Sequence, residues 1–125
     1  MIQGIGTDIV AIARLGELYA RHGERALEKL LAPAEREACR GSSDPARFLA
    51  KRFAAKEALG KALGSGIRAP VLLPAIEIGH DELGKPLFLF HGELAAHMDQ
   101  QRYLCHLSLA DEKDQVIAFA IVEKP

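Results

Sequence analysis

The chain has 125 residues, of which 49% are hydrophobic and 26% charged, which is typical of a single soluble globular domain spanning residues 1–125. A formal net charge of −1 excludes the overall basicity of nucleic-acid-binding proteins, so a charged partner must be met by a local patch. No apolar run approaches the roughly 18 residues of a membrane span, and no leader pattern opens the sequence. Cys39 and Cys105 lack metal-ligand spacing. We therefore expect a cytoplasmic protein with reduced thiols and with no membrane or nucleic-acid partner.

The N-terminal third predicts one strand followed by helices. "IQGIGTDIVAI" combines β-branched residues with two glycines and predicts a short strand ending near Asp8. From about Ile12 leucines recur at helical spacing, and Gly23 predicts a break in that helix. Pro33 is expected to open a further short helix through "PAEREAC".

The middle of the chain predicts one long helix. Asp44 is a good N-cap and Pro45 suits the first helical position, while Gly64 provides a left-handed stop after Leu63. A helix of about 18 residues would be about 27 Å long. Its richness in alanine, leucine and phenylalanine predicts that it is buried.

The second half of the sequence predicts antiparallel pairing. "AIEIGHDELGKPLFLFHG" is typical of a β-hairpin with its turn in "DELGKP", and "YLCHLSLADEKDQVIAFAIVEK" of a second hairpin with its turn in "DEKD". "GELAAHMDQQ" between them predicts a short amphipathic helix. The order of elements favours an α+β fold in which a small, mostly antiparallel sheet packs against the long buried helix.

The glycine-rich start does not encode a dinucleotide site. In "GIGTDI" the third glycine of that fingerprint is replaced by Ile9, and no phosphate-binding G-x-x-x-x-G-K-[ST] loop occurs elsewhere. What remains is Asp8 at the end of a strand, flanked by glycines that let the backbone approach a neighbour closely. On residue type alone, the ordinary role of such an aspartate is to cap the following helix.

The long helix carries charges that its apolar character does not explain. At 100° per residue, Phe48, Ala55, Leu59 and Ala62 share the core side. Glu57 and Lys61 fall on the opposite side, on a stripe with Ala50 and Ala54 against which another group can lie closely. The ordinary interpretation is an i,i+4 ion pair on a solvated face, worth about 0.3–0.5 kcal/mol.

The turn after this helix is a second candidate binding feature. In "GSGI", Ser65 and Gly66 can present successive N–H groups to an anion. A plain helix stop explains the same letters equally well.

Taken together, these features suggest a metal and phosphate site. Mg²⁺ is commonly held by one or two carboxylates and completes its octahedron with water and substrate phosphate oxygens. Asp8 and Glu57, with Lys61 one turn beyond Glu57, would supply two metal ligands and a cation for phosphate charge. Such an arrangement stabilises the leaving group in phosphoryl-type transfer.

Four blocks in the same order and spacing resemble the bacterial holo-acyl-carrier-protein synthase family of 4′-phosphopantetheinyl transferases: "GIGTDIV", "RFAAKEALGKALGSGI", "DELGKP" and "HLSLADE". The resemblance runs from near residue 3 to near residue 122. It implies the fold of that family and Mg²⁺-dependent transfer of 4′-phosphopantetheine from coenzyme A to a serine of apo-acyl carrier protein, in fatty acid biosynthesis. Adenosine 3′,5′-bisphosphate would be released.

The resemblance also implies residue roles. Asp8 and Glu57 would hold the metal and Lys61 would contact the diphosphate, while Arg47, Arg52 and His106 match family positions near the nucleotide and its 3′-phosphate. Many members end the last motif with a second histidine, where this chain has Ala110 and Asp111, so that residue's role does not carry over. The general base stays open between Glu35 and a metal-bound water.

Two kinds of association follow. The resemblance implies a homotrimer with each active site between neighbouring subunits. Independently, Arg14, Arg21 and Arg25 lie at i, i+7 and i+11 and share one face if the break at Gly23 is mild. Because acyl carrier proteins are acidic, we expect this row to bind the carrier, although a solvated basic face is the commoner role of such a row.

Two alternative functions fit the sequence less well. Broad-specificity transferases that modify the carrier domains of peptide or polyketide synthases are longer chains with two copies of the fold. A catalytically silent module that binds nucleotide or an acidic protein would have no need of the metal site that Asp8, Glu57 and Lys61 provide.

Overall fold

The computed structural model describes residues 1–125. Its elements, in chain order, are β1 (Ile2–Ala11), α1 (Ile12–His22), α2 (Glu24–Leu30), α3 (Pro33–Arg40), α4 (Pro45–Leu63), β2 (Ile76–His80), β3 (Pro86–Phe90), α5 (Gly92–Gln101), β4 (Leu104–Asp111) and β5 (Gln115–Glu123). A single 3₁₀ turn spans Leu73–Ala75, in addition to the predicted elements. None of the helices combines the length and apolarity that crossing a bilayer requires.

The strands form two antiparallel sheets, which confirms the α+β prediction. One sheet has the order β1-β5-β4, and the other is the β2-β3 hairpin. The N-terminal strand therefore pairs with the C-terminal strand, and both ends of the chain belong to the same sheet. Helix α4 packs across the inner face of this sheet and forms the centre of the core.

Helix α4 begins and ends where its capping residues predict. The Asp44 carboxylate accepts a hydrogen bond from the Arg47 backbone N–H, and Gly64 takes the left-handed conformation at φ 78°. The core side is confirmed by Ala55 and Leu59, which are fully buried. The opposite alanines, Ala50 and Ala54, are fully buried as well. The stripe above Glu57 is thus covered by the rest of the chain and is not open to a ligand.

Strand β1 is longer than predicted. It continues three residues beyond Asp8 to Ala11, because its pairing with β5 runs on through Asp8↔Ala118 to Ala11↔Gln115. The strand alternates cleanly: Gly6 and Val10 point into the core, whereas Ile5 and Ile9 point away from it. Pairing with a distant strand, which no local signal reports, sets this boundary.

The break between α1 and α2 is confirmed. Gly23 has φ 56° and ψ −132°, a conformation that directs α2 away from the axis of α1. Cys39 is buried and Cys105 half-buried, and both are free thiols.

The outer face of the three-stranded sheet is exposed and apolar. Ile5 and Ile9 on β1 are 60% and 59% exposed, and Ile117 and Phe119 on β5 are 45% and 37% exposed. Since β1 and β5 are adjacent, these side chains form one continuous patch, which we call the outer patch. Contiguous apolar patches of this kind mark association surfaces.

Candidate active site

The glycines of β1 let the strand lie directly on α4. A Cβ built on Gly4 would lie 1.9 Å from the Ala62 carbonyl oxygen, and one built on Gly6 would lie 2.1 Å from that of Ala58. Only residues without a side chain fit at these two inward positions. Asp8 is the next inward position along the strand, and it therefore meets α4 where the charged residues of that helix lie.

Asp8, Glu57 and Lys61 converge at this contact. The Lys61 Nζ donates to Asp8 Oδ1 at 3.2 Å and to the Thr7 carbonyl oxygen at 2.9 Å. Burial raises the pKa of Glu57 above its ordinary value, and the nearby Asp8 carboxylate raises it further, while Lys61 and Arg14 act in the opposite direction. A carboxylate whose ionisation is disfavoured by a second carboxylate close by is typical of a site for a cation.

Two ordinary interpretations from the sequence are wrong. Asp8 does not cap α1, because the N-cap of that helix is Ala11, which has no side-chain hydrogen bond to it. Lys61 does not pair with Glu57 along the helix, because its ammonium group is directed to β1. Both side chains are instead placed by the packing of β1 on α4.

The donor set at this contact fits Mg²⁺. No three His, Cys, Asp or Glu side chains form a complete cage for a metal ion. Two carboxylates, however, are what a Mg²⁺ ion takes when it completes its shell with water and substrate phosphates. Asp8 is 16% exposed and Lys61 54% exposed at their side chains, so a substrate can approach from the Lys61 side.

A second feature is a cleft of about 410 Å³ at the start of α4, which we call the basic groove. Arg47, Lys51 and Arg52 line it from α4, and His80 lines it from the end of β2. The turn between β2 and β3 and the start of β3 close its far wall. Three cations in one cleft favour an anionic ligand.

Arg47 is fully engaged within the chain. Its guanidinium donates to Asp44 at 3.2 Å, to Asp111 at 2.5 Å, and to the backbone carbonyl oxygens of Glu112 and Lys113 at 2.9 and 3.1 Å. These bonds fasten the first turn of α4 to the β4–β5 turn. Asp111 therefore has a structural partner in this chain.

Arg52 is also held by the chain. Its Nε lies 3.2 Å from Glu35 Oε2, and its guanidinium stacks over the Phe48 ring at 4.3 Å. Only 12% of the side chain is exposed. Arg52 thus contributes charge to the basic groove from a fixed position.

Glu35, one of the two candidates for the general base, is a buried structural residue. Its carboxylate accepts the backbone N–H groups of Ala32 and Ile78, both at 2.9 Å, and the Lys56 ammonium at 2.6 Å. Lys56 in turn donates to the carbonyl oxygens of Leu30 and Leu73. With both oxygens engaged and 2% of the side chain exposed, Glu35 has no route to a substrate hydroxyl.

The remaining candidate ligands lie apart from the carboxylates. Gly66 donates its N–H to the Gly60 carbonyl oxygen at 3.0 Å, so this amide closes the helix and does not face an anion, and the Ser65 hydroxyl bonds the Gly66 carbonyl oxygen at 2.9 Å. His106 lies 3.5 Å from Glu123 and belongs to the exposed residues of β4. The single chain does not bring His106 to the basic groove.

The three arginines predicted to bind a carrier are exposed and make no ion pair in the chain. Arg14 lies over the Phe53 ring at 5.5 Å and is close enough to Glu57 to affect its pKa. Arg25 lines a shallow groove of about 490 Å³ between α1 and α2, together with His22 and Lys29. This basic surface therefore begins at the carboxylate site and extends away from it.

Comparison with known proteins assigns this chain and its fold to a family. The chain belongs to the 4′-phosphopantetheinyl transferase superfamily, whose family model matches residues 4–120. A holo-[acyl-carrier-protein] synthase from Azoarcus sp. (strain BH72) is 58% identical over 123 residues, which are 98% of each chain. Within the superfamily, the chain is thus of the holo-[acyl-carrier-protein] synthase type.

Solved structures agree with this assignment. The crystal structure of holo-[acyl-carrier-protein] synthase from Neisseria meningitidis has a TM-score of 0.94 at 44% identity and covers 99% of this chain and 100% of its own. The enzyme from Bacillus anthracis, solved in complex with CoA (3′,5′-ADP), has a TM-score of 0.83 at 32% identity and covers 100% of this chain and 99% of its own.

Proposed function

We propose that this protein transfers 4′-phosphopantetheine from coenzyme A to a serine of apo-acyl carrier protein, with Mg²⁺, and releases adenosine 3′,5′-bisphosphate for fatty acid biosynthesis. The observation that carries the proposal is the convergence of Asp8, Glu57 and Lys61 where β1 lies on α4. The family and the coenzyme A complex of the Bacillus anthracis relative support it.

Each of the three residues has a defined task in this proposal. Asp8 and Glu57 hold Mg²⁺, which supplies charge neutralisation to the diphosphate when bound. Lys61 gives up its hydrogen bond to Asp8 and donates to a diphosphate oxygen, since its ammonium group is exposed and already directed to this point. A positioned cation lowers the barrier because it stabilises charge that develops on the leaving group.

Coenzyme A would bind with its nucleotide in the basic groove. Within one chain, however, the groove and the carboxylates face different directions. Arg52 and Glu57 are five positions apart, which is about 140° around α4, and Lys51 and Glu57 are about 120° apart. One coenzyme A molecule can reach both features most directly if the groove of one subunit lies beside the carboxylates of the next.

We therefore propose a homotrimer with active sites between subunits. The outer patch of Ile5, Ile9, Ile117 and Phe119 gives the chain an apolar surface for this association. His106 and Ser108 belong to the exposed residues of β4, in the same sheet. Association would bring His106 to a neighbouring subunit, which is the only setting in which it joins a nucleotide site.

The carrier protein would bind along the exposed arginines of α1 and α2. Arg14 is beside the carboxylate site, and Arg21 and Arg25 extend from it. Carboxylates of an acidic carrier helix would pair with these cations and direct its serine towards Glu57 and Asp8. The two free thiols are compatible with a cytoplasmic location, which we propose as well.

The direct test is incubation of the purified protein with apo-acyl carrier protein, coenzyme A and Mg²⁺, followed by intact-protein mass spectrometry. The proposal expects the carrier to gain the mass of one phosphopantetheine arm, and the gain to disappear with EDTA. Glu57→Gln should fold normally and lose transfer by roughly 100-fold or more, because a ligand charge is removed. Glu82→Gln, in the β2–β3 turn, is the matched control. A wild-type rate in Glu57→Gln would remove Glu57 from the site.

A further inference from the structure

Two of the cations that line the basic groove are held in place by the rest of the chain. Arg47 donates hydrogen bonds to Asp44, Asp111 and two backbone carbonyl oxygens. Arg52 is held by its ion pair with Glu35 and by stacking over the Phe48 ring. Lys51 is different, because its nearest carboxylate oxygen, on Asp111, is 3.7 Å away. His80 is the fourth basic residue of the groove.

His80 is the least engaged of these side chains. It is the last residue of β2, it is exposed, and its ring makes no hydrogen bond or ion pair within the chain. The neighbouring Asp81 does not compete for it, because Asp81 Oδ1 accepts the backbone N–H groups of Leu83 and Lys85, both at 2.9 Å, and so shapes the turn. Lys51 and His80 are therefore the accessible donors of the groove: Arg52 also donates no hydrogen bond, but only 12% of its side chain is exposed, against 37% for Lys51.

We propose that His80, in its imidazolium form and together with Lys51, binds the phosphate monoester of the nucleotide in the basic groove. The inference rests on the proposed function, since it takes coenzyme A as the ligand. A phosphate monoester suits the pair because it carries close to two charges and three acceptor oxygens at neutral pH. The diphosphate of coenzyme A is assigned to Lys61, so the two anionic parts of one ligand have different cations.

Charges around His80 couple this binding to a proton. Partial desolvation at the groove wall, followed by the cations Arg52 and Lys51, lowers the pKa of His80 below its usual value, and Asp81 opposes them. Arg47 and Asp44 also line the groove. Near neutral pH the empty groove thus holds mostly neutral imidazole. A bound phosphate dianion favours the charged form, so binding takes up a proton and becomes tighter as pH falls towards 6.

Isothermal titration calorimetry with adenosine 3′,5′-bisphosphate tests this inference on the full-length protein at pH 6, 7 and 8, in two buffers of different ionisation enthalpy. His80→Gln keeps a donor but cannot be charged. We expect it to bind roughly tenfold more weakly than wild type at pH 6 and within about twofold at pH 8, because a charge-assisted hydrogen bond is lost only where imidazolium forms. Proton uptake should fall in the variant.

Two controls separate His80 from other causes. The phosphate itself gains a proton near pH 6, but it does so equally for wild type and variant, so their ratio reports His80 alone. Lys51→Gln should weaken binding by a factor that changes little with pH, and His97→Gln, on α5, should change nothing. Dephospho-coenzyme A, which lacks the monoester, should bind His80→Gln and wild type equally.

The outcomes are distinguishable from failure of the proposed function. Equal affinity and equal proton uptake in wild type and His80→Gln would overturn the role of His80 while leaving the transfer activity intact. A loss of affinity that extends to dephospho-coenzyme A would assign His80 to another part of the ligand and would also overturn the inference. If the wild type binds no adenosine 3′,5′-bisphosphate and transfers nothing, the proposed function fails with it.

Discussion

Gly6→Ala is expected to separate β1 from α4 and to disable the site without replacing Asp8, Glu57 or Lys61. The new Cβ would lie 2.1 Å from the Ala58 carbonyl oxygen, 2.7 Å from the Ala62 nitrogen and 2.9 Å from the Lys61 Cβ. Two of these three atoms are backbone and cannot rotate away. Strand and helix must therefore move apart by roughly 1 Å before the contact reaches ordinary van der Waals range.

The size of the effect follows from this displacement. Overpacking of a core contact costs about 1–3 kcal/mol, and for a domain of this size 1 kcal/mol corresponds to about 4 °C in Tm. We expect Tm to fall by about 4–12 °C. Asp8 is two positions further along the strand, so its carboxylate moves relative to Glu57 and Lys61, and transfer should slow by roughly 10- to 100-fold.

Circular-dichroism melting and the mass-spectrometric transfer assay measure the two effects at a temperature where the variant is folded. Gly41→Ala is the matched control, because Gly41 has φ −84° and the nearest atom to its added Cβ is 3.7 Å away, so it should leave both quantities unchanged. Wild-type Tm in Gly6→Ala would refute the close packing of β1 on α4. A lowered Tm with an undiminished rate would refute the link between that packing and the site.

Three further expectations concern other surfaces. Lys56→Met should lower stability by about 3–5 kcal/mol because it leaves the Glu35 carboxylate buried without its ammonium partner; a fall in Tm no larger than that of the exposed control Lys29→Met would contradict this. Arg14→Glu combined with Arg21→Glu should raise KM for carrier protein several-fold and leave coenzyme A binding unchanged, whereas an unaltered KM would exclude these arginines from the interface. Phe119→Glu should convert the proposed trimer to monomer in light scattering, and a trimer that survives would place the interface elsewhere.

The sequence predicted the features of this fold that depend on neighbouring residues. The bounds of α4 followed from Asp44, Pro45 and Gly64, because a cap and a left-handed glycine act within one turn. The break at Gly23 followed for the same reason. Turn residues likewise placed both hairpins.

Features set by distant contacts were predicted less well. The local sequence around Asp8 is that of a helix cap. It does not report the pairing of this strand with β5, more than a hundred residues away, which carries the strand past Asp8. Glu35 was a candidate for the general base because the local sequence does not show that it is buried against Lys56, 21 residues further along the chain. His80 has no ligand spacing to any other histidine, and it joins Lys51 and Arg52 only because the end of β2 packs beside the start of α4.

The alternation of β1 has a consequence for how this protein can change. Consecutive side chains face opposite sides of the sheet: Asp8 faces the proposed metal site, and Ile9 belongs to the outer patch. Inserting or deleting one residue upstream of Asp8 would exchange the two directions, and would place a carboxylate in the outer patch and an isoleucine beside Glu57 and Lys61. The number of residues in this strand is therefore constrained more tightly than the identity of its exposed residues, since one insertion or deletion would disrupt both the proposed metal site and the proposed association surface.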